Sequence, residues 1–428
     1  MKLPDAYITR MKHSLGDGFP AYLSAMNEPP ARSLRVNTLK ISPEDLLPLL
    51  PVACSPNDIS EDCFRVPDEL SPGKDPLHIA GLYYMQEASA QMPVHLLDIR
   101  PGERVLDLCA APGGKSGQIA AALQHKGLLI SNEIVPSRAT VLRRTLERLG
   151  VRNAIITNAH PASVCDVLSR FCDAVLVDAP CSGEGMFRKE PDAVWDWSLE
   201  HVTSCAIRQR EILKSAARAV RPGGRLVYST CTFSAEENED NTRWFCRTFP
   251  DFSLVQEVRC YPHTCAGEGQ YAALFVKNGS NTCQHTAITS RSDKIDAYRA
   301  FAKDTFIEVP HGSLRLLPDG RVFILPDELP EGVDKLRILC SGVEAGEVKN
   351  GRFIPAHAIF LAYPKEMFRL YEEPSEPVLR AFLAGEQISS CRSESGYIAV
   401  GCNGFPIGFG KLSDGQVKNH FPKGLRIR

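Results

Sequence analysis

The chain has 428 residues, of which 43% are hydrophobic and 23% are charged, and its formal net charge is −2. This composition is ordinary for a globular protein, and the charge argues against a surface that is basic all over. A local basic patch is still compatible with nucleic-acid binding. No apolar run approaches the ~18 residues of a membrane span, and the N-terminal residues lack the apolar segment of a signal peptide. We therefore expect a cytoplasmic protein that makes no membrane contact.

The sequence pattern changes near residue 89. Residues 1–88 mix helical patterns with proline-rich loops and contain a predicted strand over 33–38, whereas residues 89–280 alternate between apolar strands and amphipathic helices. The strands are predicted over 105–108, 127–131, 154–157, 173–178, 225–229 and 271–276, and the helices over 115–124, 136–149, 203–219 and 236–249. The tripeptide Pro222-Gly223-Gly224 predicts a sharp turn before the strand at 225–229. This alternation is typical of an α/β fold with a doubly wound, mostly parallel sheet.

The rest of the chain is predicted to contain two further units. Residues 281–349 follow a polar stretch at 278–284 and are interpreted as a linker with a small α+β unit. Residues 350–428 are predicted to form a small β-rich domain, because Asn403-Gly404 between two apolar runs is typical of a tight hairpin turn. The predicted domains are therefore 1–88, 89–280, 281–349 and 350–428.

Fifteen cysteines are present, and none is arranged as Cys-x-x-Cys. In a reducing cytosol most of them are expected to be small buried side chains. Cys260, His263 and Cys265 come closest to a metal-binding group, but no second ligand pair follows at the spacing of zinc sites. The sequence therefore predicts no metal site.

Two cysteines stand out because each follows an apolar strand. Cys181 lies in the Asp-Ala-Pro-Cys-Ser-Gly segment at 178–183, and Cys231 lies in the Ser-Thr-Cys-Thr-Phe segment at 229–233. A parallel sheet collects its chemistry at the carboxyl ends of its strands, so both thiols should reach the same edge, together with Asp178. A lone cysteine is usually buried and inert. Two thiols at one edge are what an enzyme needs to add to a pyrimidine ring and to leave it again.

A glycine-rich turn joins the strand at 105–108 to the following helix. Gly113 and Gly114 let the backbone approach a ligand closely, although a plain strand-to-helix turn would look similar. The tripeptide Gly114-Lys115-Ser116 also occurs in nucleotide P-loops, but that motif needs a glycine where this chain has Cys109. The turn therefore predicts a compact ligand without a triphosphate.

Glu133 stands at the end of the next strand, 26 residues after Asp107. A carboxylate at this position can bind both ribose hydroxyls of an adenosine-type cofactor, and an exposed surface glutamate is the alternative. Arg138 on the following helix is expected either to position Glu133 or to face solvent.

These residues resemble the Sun-type, also called Fmu-type, RNA cytosine-5 methyltransferases, and most closely the bacterial ribosomal-RNA group called RsmF. The resemblance runs through segments 35–37, 107–116, 178–189, 229–233, 267–271 and 414–426, and includes Glu133. The combination of Pro-Cys with Thr-Cys is specific to this family, because DNA cytosine methyltransferases use a Pro-Cys nucleophile and lack the Thr-Cys partner.

The resemblance implies a Rossmann-like class I methyltransferase domain that uses S-adenosyl-L-methionine as its methyl donor. Glu133 would bind the ribose of the donor, Asp178 would lie near its methionine end or near the target base, and Asn158, favoured over His160, would lie near its adenine. The residues assigned to the donor in this way are Cys109, Ala110, Ala111, Pro112, Gly113, Gly114, Lys115, Glu133, Arg138, Asn158 and Asp178.

The resemblance also assigns the catalytic residues Cys231, Cys181 and Asp178. Cys231 would add to C6 of cytosine, which turns C5 from a poor nucleophile into an enamine carbon. Cys181 would assist removal of the C5 proton and release of the product, while Asp178 would hydrogen-bond the edge of the base. A duplex buries C6, so the target base must be unpaired or flipped out.

RNA binding is expected on both sides of the catalytic domain. The resemblance implies an N-terminal RNA-binding element and a C-terminal PUA-like domain, and we expect Arg188 and Lys189 to contact phosphates near the target. The basic residues of the C-terminal segment are Lys411, Lys418, Lys423, Arg426 and Arg428. The expected substrate is 16S ribosomal RNA or the 30S subunit, and the chain is expected to be a monomer.

Three alternatives stay open on the sequence alone. The substrate could be tRNA, or the chain could be a non-catalytic ribosome assembly factor with a vestigial cofactor site, although both cysteines and the glycine-rich turn are intact. A P-loop NTPase is disfavoured by Cys109.

Overall fold

The computed structural model describes residues 3–280, 287–288 and 292–427. Arg428 and most of the polar stretch predicted at 278–284 lie outside the described residues. Among the residues described, none of the helices combines the length and the apolar character needed to cross a membrane.

The N-terminal domain is a small antiparallel sheet with helices around it. Its helices are α1 (Asp5–Leu15), α2 (Phe19–Met26), α3 (Pro43–Leu46) and α4 (Pro76–Ile79), and its strands are β1 (Ser33–Val36), β2 (Ser55–Asn57), β3 (Ser60–Arg65) and β4 (Tyr83–Met85). The strand order is β2-β3-β1-β4. The strand predicted at 33–38 is confirmed as β1 and ends at Val36.

The central domain confirms the predicted alternation of strands and helices. Its strands are β5 (Arg104–Asp107), β6 (Leu128–Asn132), β7 (Ala154–Thr157), β8 (Cys172–Asp178), β9 (Val220–Thr230), β10 (Phe252–Cys260) and β11 (Gln270–Lys277). Its helices are α5 (Met92–Leu97), α6 (Gly114–Leu123), α7 (Pro136–Leu149), α8 (Pro161–Val167), α9 (Asp192–Asp196), α10 (Leu199–Ala219) and α11 (Glu239–Thr248). The sheet runs β10-β11-β9-β8-β5-β6-β7, in which β5 to β9 are parallel, β11 is antiparallel to β9, and β10 is antiparallel to β11.

Apolar residues on both faces of each central strand explain why this sheet is covered twice. Leu106 and Val175 pack on one face against α8, α10 and α11, whereas Val105 and Leu176 pack on the other face against α5, α6 and α7. Successive side chains of a strand point to opposite faces, so a run of apolar residues buries both. The covered sheet leaves the carboxyl ends of its strands as the open edge.

Three local expectations for this domain differ from the structure. The sharp turn predicted at Pro222-Gly223-Gly224 lies inside β9, where residues 221–224 bulge out between the pairs Cys172 with Val220 and Ala174 with Arg225. The last helix begins at Glu239 instead of residue 236, because residues 235–238 form a turn. Strand β10 was not predicted, since its residues from Ser253 to Glu257 are exposed and lack an alternating apolar pattern.

The C-terminal third contains two larger sheets. Its strands are β12 (Ala287–Ile288), β13 (Leu314–Leu316), β14 (Arg321–Ile324), β15 (Leu329–Pro330), β16 (Ile338–Ser341), β17 (Val343–Lys349), β18 (Arg352–Pro355), β19 (Tyr371–Glu372), β20 (Ile388–Ser389), β21 (Gly396–Cys402), β22 (Phe405–Ser413) and β23 (Gln416–Asn419). Its helices are α12 (Asp296–Thr305), α13 (His357–Ala362) and α14 (Glu376–Ala384). The strand orders are β13-β14-β17-β18 and β19-β21-β22-β23-β20, while β12 pairs with β15. The two larger sheets are antiparallel except that β19 pairs parallel with β21. The predicted hairpin is confirmed between β21 and β22, where Asn403 and Gly404 both have positive φ.

Two contacts join the C-terminal third to the rest of the molecule. Strand β16 pairs antiparallel with β7, so it extends the central sheet by one strand. In addition, one apolar core contains Leu34 and Phe64 of the N-terminal sheet together with Phe382 and Ile398 of the C-terminal domain. The N-terminal and C-terminal domains therefore bury their apolar surfaces against each other.

Candidate active site

Cys181 and Cys231 meet at the carboxyl ends of the parallel strands of the central sheet. Cys181 follows β8 and Cys231 follows β9, and these strands are parallel neighbours. The two sulfur atoms are 3.3 Å apart. The juxtaposition expected from the strand order is therefore present in the structure.

A network of buried polar groups fixes the two cysteine loops relative to each other. The hydroxyl oxygens of Ser182 and Thr232 are 2.7 Å apart, and Ser182 also donates its backbone N–H and its hydroxyl to the carboxylate of Glu237. The backbone N–H of Gly185 donates to the carbonyl of Cys231 over 2.8 Å. A Cβ atom at Gly185 would lie 2.9 Å from that carbonyl oxygen, so any larger residue would displace the Cys231 loop.

The surroundings of the Cys181 thiol favour its protonated form. The hydrogen bond with the Cys231 sulfur has the largest effect on the pKa of Cys181, and burial has the second largest. Both raise this pKa well above its ordinary value. Cys181 is therefore a protonated thiol at neutral pH. Its S–H is within reach of the Cys231 sulfur as a hydrogen-bond donor.

Asp178, at the end of β8, receives hydrogen bonds from three side chains. The donors are Lys115 at 2.8 Å, Ser229 at 2.7 Å and Gln270 at 3.3 Å. Burial alone would lower the pKa of Lys115, but the Asp178 carboxylate raises it above its ordinary value, so Lys115 is a cation. The sequence reasoning did not assign Ser229 and Gln270 to the site. The segments 229–233 and 267–271 that carried the resemblance contain both, and this was the available signal.

The glycine-rich turn at 109–115 is shaped by its neighbours on both sides. Gly113 has φ +111°, and a Cβ there would lie 3.0 Å from the side chain of Thr145. At Gly114 the carbonyl accepts a hydrogen bond of 2.6 Å from Arg35, a fully buried arginine of the N-terminal domain. Burial lowers the pKa of Arg35 to about 10, so its guanidinium is still charged at neutral pH. The N-terminal domain thus supports this turn directly, which the sequence reasoning missed.

Glu133 and its neighbours lie beside this turn and form the other side of the expected cofactor site. The Glu133 carboxylate is buried and accepts a hydrogen bond of 2.9 Å from the backbone N–H of Val135. Arg138 lies 3.6 Å from the same carboxylate and also donates to the carbonyl of Ala111 over 3.0 Å. The carboxamide of Asn158 donates to the carbonyls of Glu133 and Ile134. His160 instead caps the N-terminus of α8, where its ring accepts a hydrogen bond from the backbone N–H of Ala162.

Asp107 lies under the turn as a fully buried carboxyl group. Its partner is the hydroxyl of Ser116 at 2.7 Å, and burial raises the pKa of Asp107 to about 7. An unfolded aspartate titrates near pH ~3.9. The folded protein therefore binds a proton here that the unfolded chain has lost, and stability falls as the pH rises from about 4 to about 7.

The replacement Asp107→Asn removes this titration. We expect the free energy of unfolding of the unchanged protein to fall by a few kcal/mol, relative to that of Asp107→Asn, between about pH 4 and about pH 7. Urea unfolding of both proteins at a series of pH values measures the difference. Parallel stability curves across this range would contradict the raised pKa.

Several expectations for residues around the site need correction. Arg188 does not face a phosphate, because its guanidinium forms a buried ion pair of 2.6 Å with Glu268 and donates to the carbonyl of Ala25. Arg426 packs against Gly385, whose added Cβ would lie within 2.5 Å of the guanidinium, so it is not a free surface cation. Cys260 and Cys265, which the sequence analysis rejected as metal ligands, are joined by a disulfide that it did not predict.

Comparison with known proteins assigns the chain to a family. Family models match it at 3–88 (N-terminal domain of 16S rRNA methyltransferase RsmF), 94–278 (16S rRNA methyltransferase RsmB/F), 300–362 (RsmF rRNA methyltransferase first C-terminal domain) and 372–427 (methyltransferase RsmF PUA domain). A ribosomal RNA small subunit methyltransferase F from Escherichia coli strain UMN026 is 42% identical across 99% of this chain and 96% of the relative. The chain belongs to the RsmF family of 16S rRNA methyltransferases. A relative of the same name from Klebsiella pneumoniae strain 342 is 32% identical across 99% of this chain and 96% of the relative.

Solved structures agree with a methyltransferase fold. A methyltransferase homolog protein from Pyrococcus horikoshii is 27% identical, with a TM-score of 0.56 over 64% of this chain and 100% of that chain. NSun6 from the same organism, solved with SFG, has a TM-score of 0.58 at 21% identity over 65% of this chain and 99% of that chain, which concerns the fold alone. The predicted S-adenosyl-L-methionine-dependent methyltransferase domain, with an N-terminal domain and a C-terminal PUA domain, is confirmed.

Proposed function

We propose that this RsmF-family chain methylates carbon 5 of a cytosine in 16S ribosomal RNA through a covalent bond between Cys231 and C6. The observation that supports this most is the contact of the two sulfurs, 3.3 Å apart beyond the ends of the neighbouring strands β8 and β9. One thiol alone could add to a pyrimidine. A second thiol in contact with the first serves a reaction in which the added sulfur must also leave.

The residues around the turn at 109–115 fit the methyl donor. A Cβ at Gly113 or at Gly114 would meet neighbouring side chains at about 3 Å, so the turn is reserved for backbone that packs closely. Glu133 offers a carboxylate to a ribose, and the 109–115 backbone with Arg138 lies beside it. S-adenosyl-L-methionine would supply an electrophilic methyl group here. Transfer of the methyl group itself needs no acid or base, so the role of these residues is to bind and position the donor.

Cys231 carries the covalent step. Its thiolate bonds to C6, and the electron pair of the C5–C6 double bond moves to C5, which becomes nucleophilic. After C5 is methylated, a water molecule takes the C5 proton, the electron pair of the C5–H bond restores the C5–C6 double bond, and the C6–S bond breaks to release the Cys231 sulfur as a thiolate. Asp178, held by Lys115 and Ser229, hydrogen-bonds the edge of the base while the ring is attacked.

Cys181 acts in the second half of this sequence. Because its pKa is raised, Cys181 keeps its proton and can donate a hydrogen bond to the departing sulfur of Cys231. Stabilising the leaving thiolate in this way assists removal of the C5 proton and release of the product. The two cysteines therefore have different roles despite their similar sequence settings.

The C-terminal domain supplies cations that suit an RNA backbone. Lys411 and Lys418 are exposed and face each other across β22 and β23. The Lys411 ammonium lies over the ring of Tyr397, and the His420 ring contacts the same tyrosine. Lysines that bind phosphates and rings that stack on bases are the usual combination for unpaired RNA. Lys423 is also exposed.

Bisulfite mapping of ribosomal RNA from a strain without this chain tests the proposal. We expect at least one fully protected cytosine of 16S ribosomal RNA to become convertible, because 5-methylcytosine resists deamination by bisulfite. Complementation with the unchanged chain should restore protection, and tRNA from the same strains is the control. An unchanged 16S pattern, or a change confined to tRNA, would contradict the assigned substrate.

A further inference from the structure

An arginine from outside the catalytic domain contacts the wall of the proposed cofactor site. Arg337 directly precedes β16, the strand that the C-terminal third adds to the edge of the central sheet. Its carbonyl accepts a hydrogen bond of 2.9 Å from the backbone N–H of Asn158, and its guanidinium donates to the side-chain oxygen of Asn158 over 3.0 Å. Arg337 thus holds both the backbone and the side chain of Asn158.

Asn158 passes this contact on to the loop that carries Glu133. Its side-chain nitrogen donates to the carbonyl of Glu133 at 2.8 Å and to the carbonyl of Ile134 at 2.9 Å. A carboxamide has two N–H donors, and both are used here, while its oxygen is taken by Arg337. Asn158 is only 8% exposed. Its orientation is therefore determined by the residues on either side of it.

Arg337 is exposed, and within the described part of the chain its guanidinium forms no salt bridge that would hold it away from Asn158. A carboxamide can rotate by half a turn and exchange its oxygen for its nitrogen, which would point an N–H at Arg337 and an oxygen at two carbonyls. The positive guanidinium excludes that orientation, because it can only donate.

We propose that Arg337 is a positioning residue for the methyl donor, which acts through Asn158 on the Glu133–Ile134 loop. This inference rests on the proposed binding of the donor ribose by Glu133. It assigns to the segment that matches the RsmF first C-terminal domain a part in the cofactor site. Replacing Arg337 should free the Asn158 side chain, so that the loop must be ordered again each time the donor binds.

The test uses the full chain and S-adenosylhomocysteine, with binding measured by calorimetry. We expect Arg337→Met to raise the Kd by about tenfold, the size of effect that one lost charge-assisted hydrogen bond produces. The Kd for adenosine should rise by the same factor, since the contact is at the nucleoside end. With saturating methyl donor and RNA, kcat should be unchanged while KM for the donor rises.

Three further variants separate positioning from a general loss of stability. Asn158→Ala should raise the Kd at least as much, and Arg337→Met should add nothing in the Asn158→Ala background, because both act through one path. Lys335→Met removes an exposed cation two residues away and should leave the Kd unchanged. The Tm of the ligand-free Arg337→Met protein should match that of the unchanged chain.

The possible results lead to different conclusions. An unchanged Kd for Arg337→Met, or losses that multiply in the double variant, would overturn the positioning role. A lowered Tm without any change in Kd would show that Arg337 serves the sheet edge alone. If the unchanged chain bound neither S-adenosylhomocysteine nor adenosine, the proposed cofactor site itself would fail, and this inference with it.

Discussion

The Cys181→Ala protein is expected to remain covalently attached to its RNA. The proposed attack by Cys231 and the methylation of C5 do not use the Cys181 thiol, whereas the departure of the Cys231 sulfur does. Loss of the 3.3 Å contact between the two sulfurs should therefore stall the reaction at the methylated adduct. A denaturing gel should show a slower band that disappears after ribonuclease treatment.

Cys231→Ala should give the opposite result. Without the nucleophile no adduct can form, and methylation should fall by more than about 1,000-fold. The double variant should show no slow band, since formation of the bond precedes its breakage. Cys391→Ala is a suitable control, because Cys391 is an exposed free cysteine of the C-terminal domain. A slow band from Cys231→Ala instead would mean that the two thiols exchange roles.

The second large effect is expected at the buried ion pair between Arg188 and Glu268. Their side chains are only 6% and 2% exposed, and Glu268 also accepts from the backbone N–H of Ala31. Glu268→Ala would leave the Arg188 charge buried without its carboxylate, which typically costs about 3–5 kcal/mol. Urea unfolding followed by far-UV circular dichroism should show this loss.

An exposed ion pair of the same chain provides the matched comparison. Arg218 and Asp166 are 43% and 66% exposed, so Asp166→Ala should change the free energy of unfolding by less than about 1 kcal/mol. Arg188→Met combined with Glu268→Leu should recover much of the loss, because neither charge is then buried alone. Equal effects of the two single alanine variants would contradict the importance of burial.

The sequence predicted the central domain well because its signals are local. Apolar strands, glycine turns and amphipathic helices each lie within about ten to twenty residues, and strand ends of a parallel sheet meet at one edge. The strand order alone therefore places Asp178 and the two cysteines together. Strand β10 escaped prediction because its exposed residues break the alternation that identifies a strand.

The contacts that escaped prediction join distant parts of the chain. Arg188 was assigned to phosphate because a cation beside a catalytic cysteine gives no local sign of its partner, which lies 80 residues further on. The same holds for Arg35 on the turn at Gly114, and for Arg337 beside Asn158. Such pairs depend on how whole domains pack, and neither periodicity nor turn chemistry encodes that packing.

The apolar core shared by the N-terminal and C-terminal domains has a consequence for synthesis on the ribosome. Leu34 and Phe64 emerge early, whereas Phe382 and Ile398, which cover them, are added about 300 residues later. At about 5–20 residues per second, the N-terminal sheet waits roughly 15–60 s with this surface uncovered. During that time we expect chaperones to bind the uncovered apolar surface of the sheet. A nascent chain arrested before residue 379 should therefore be far more sensitive to protease within its first 88 residues than the completed protein is.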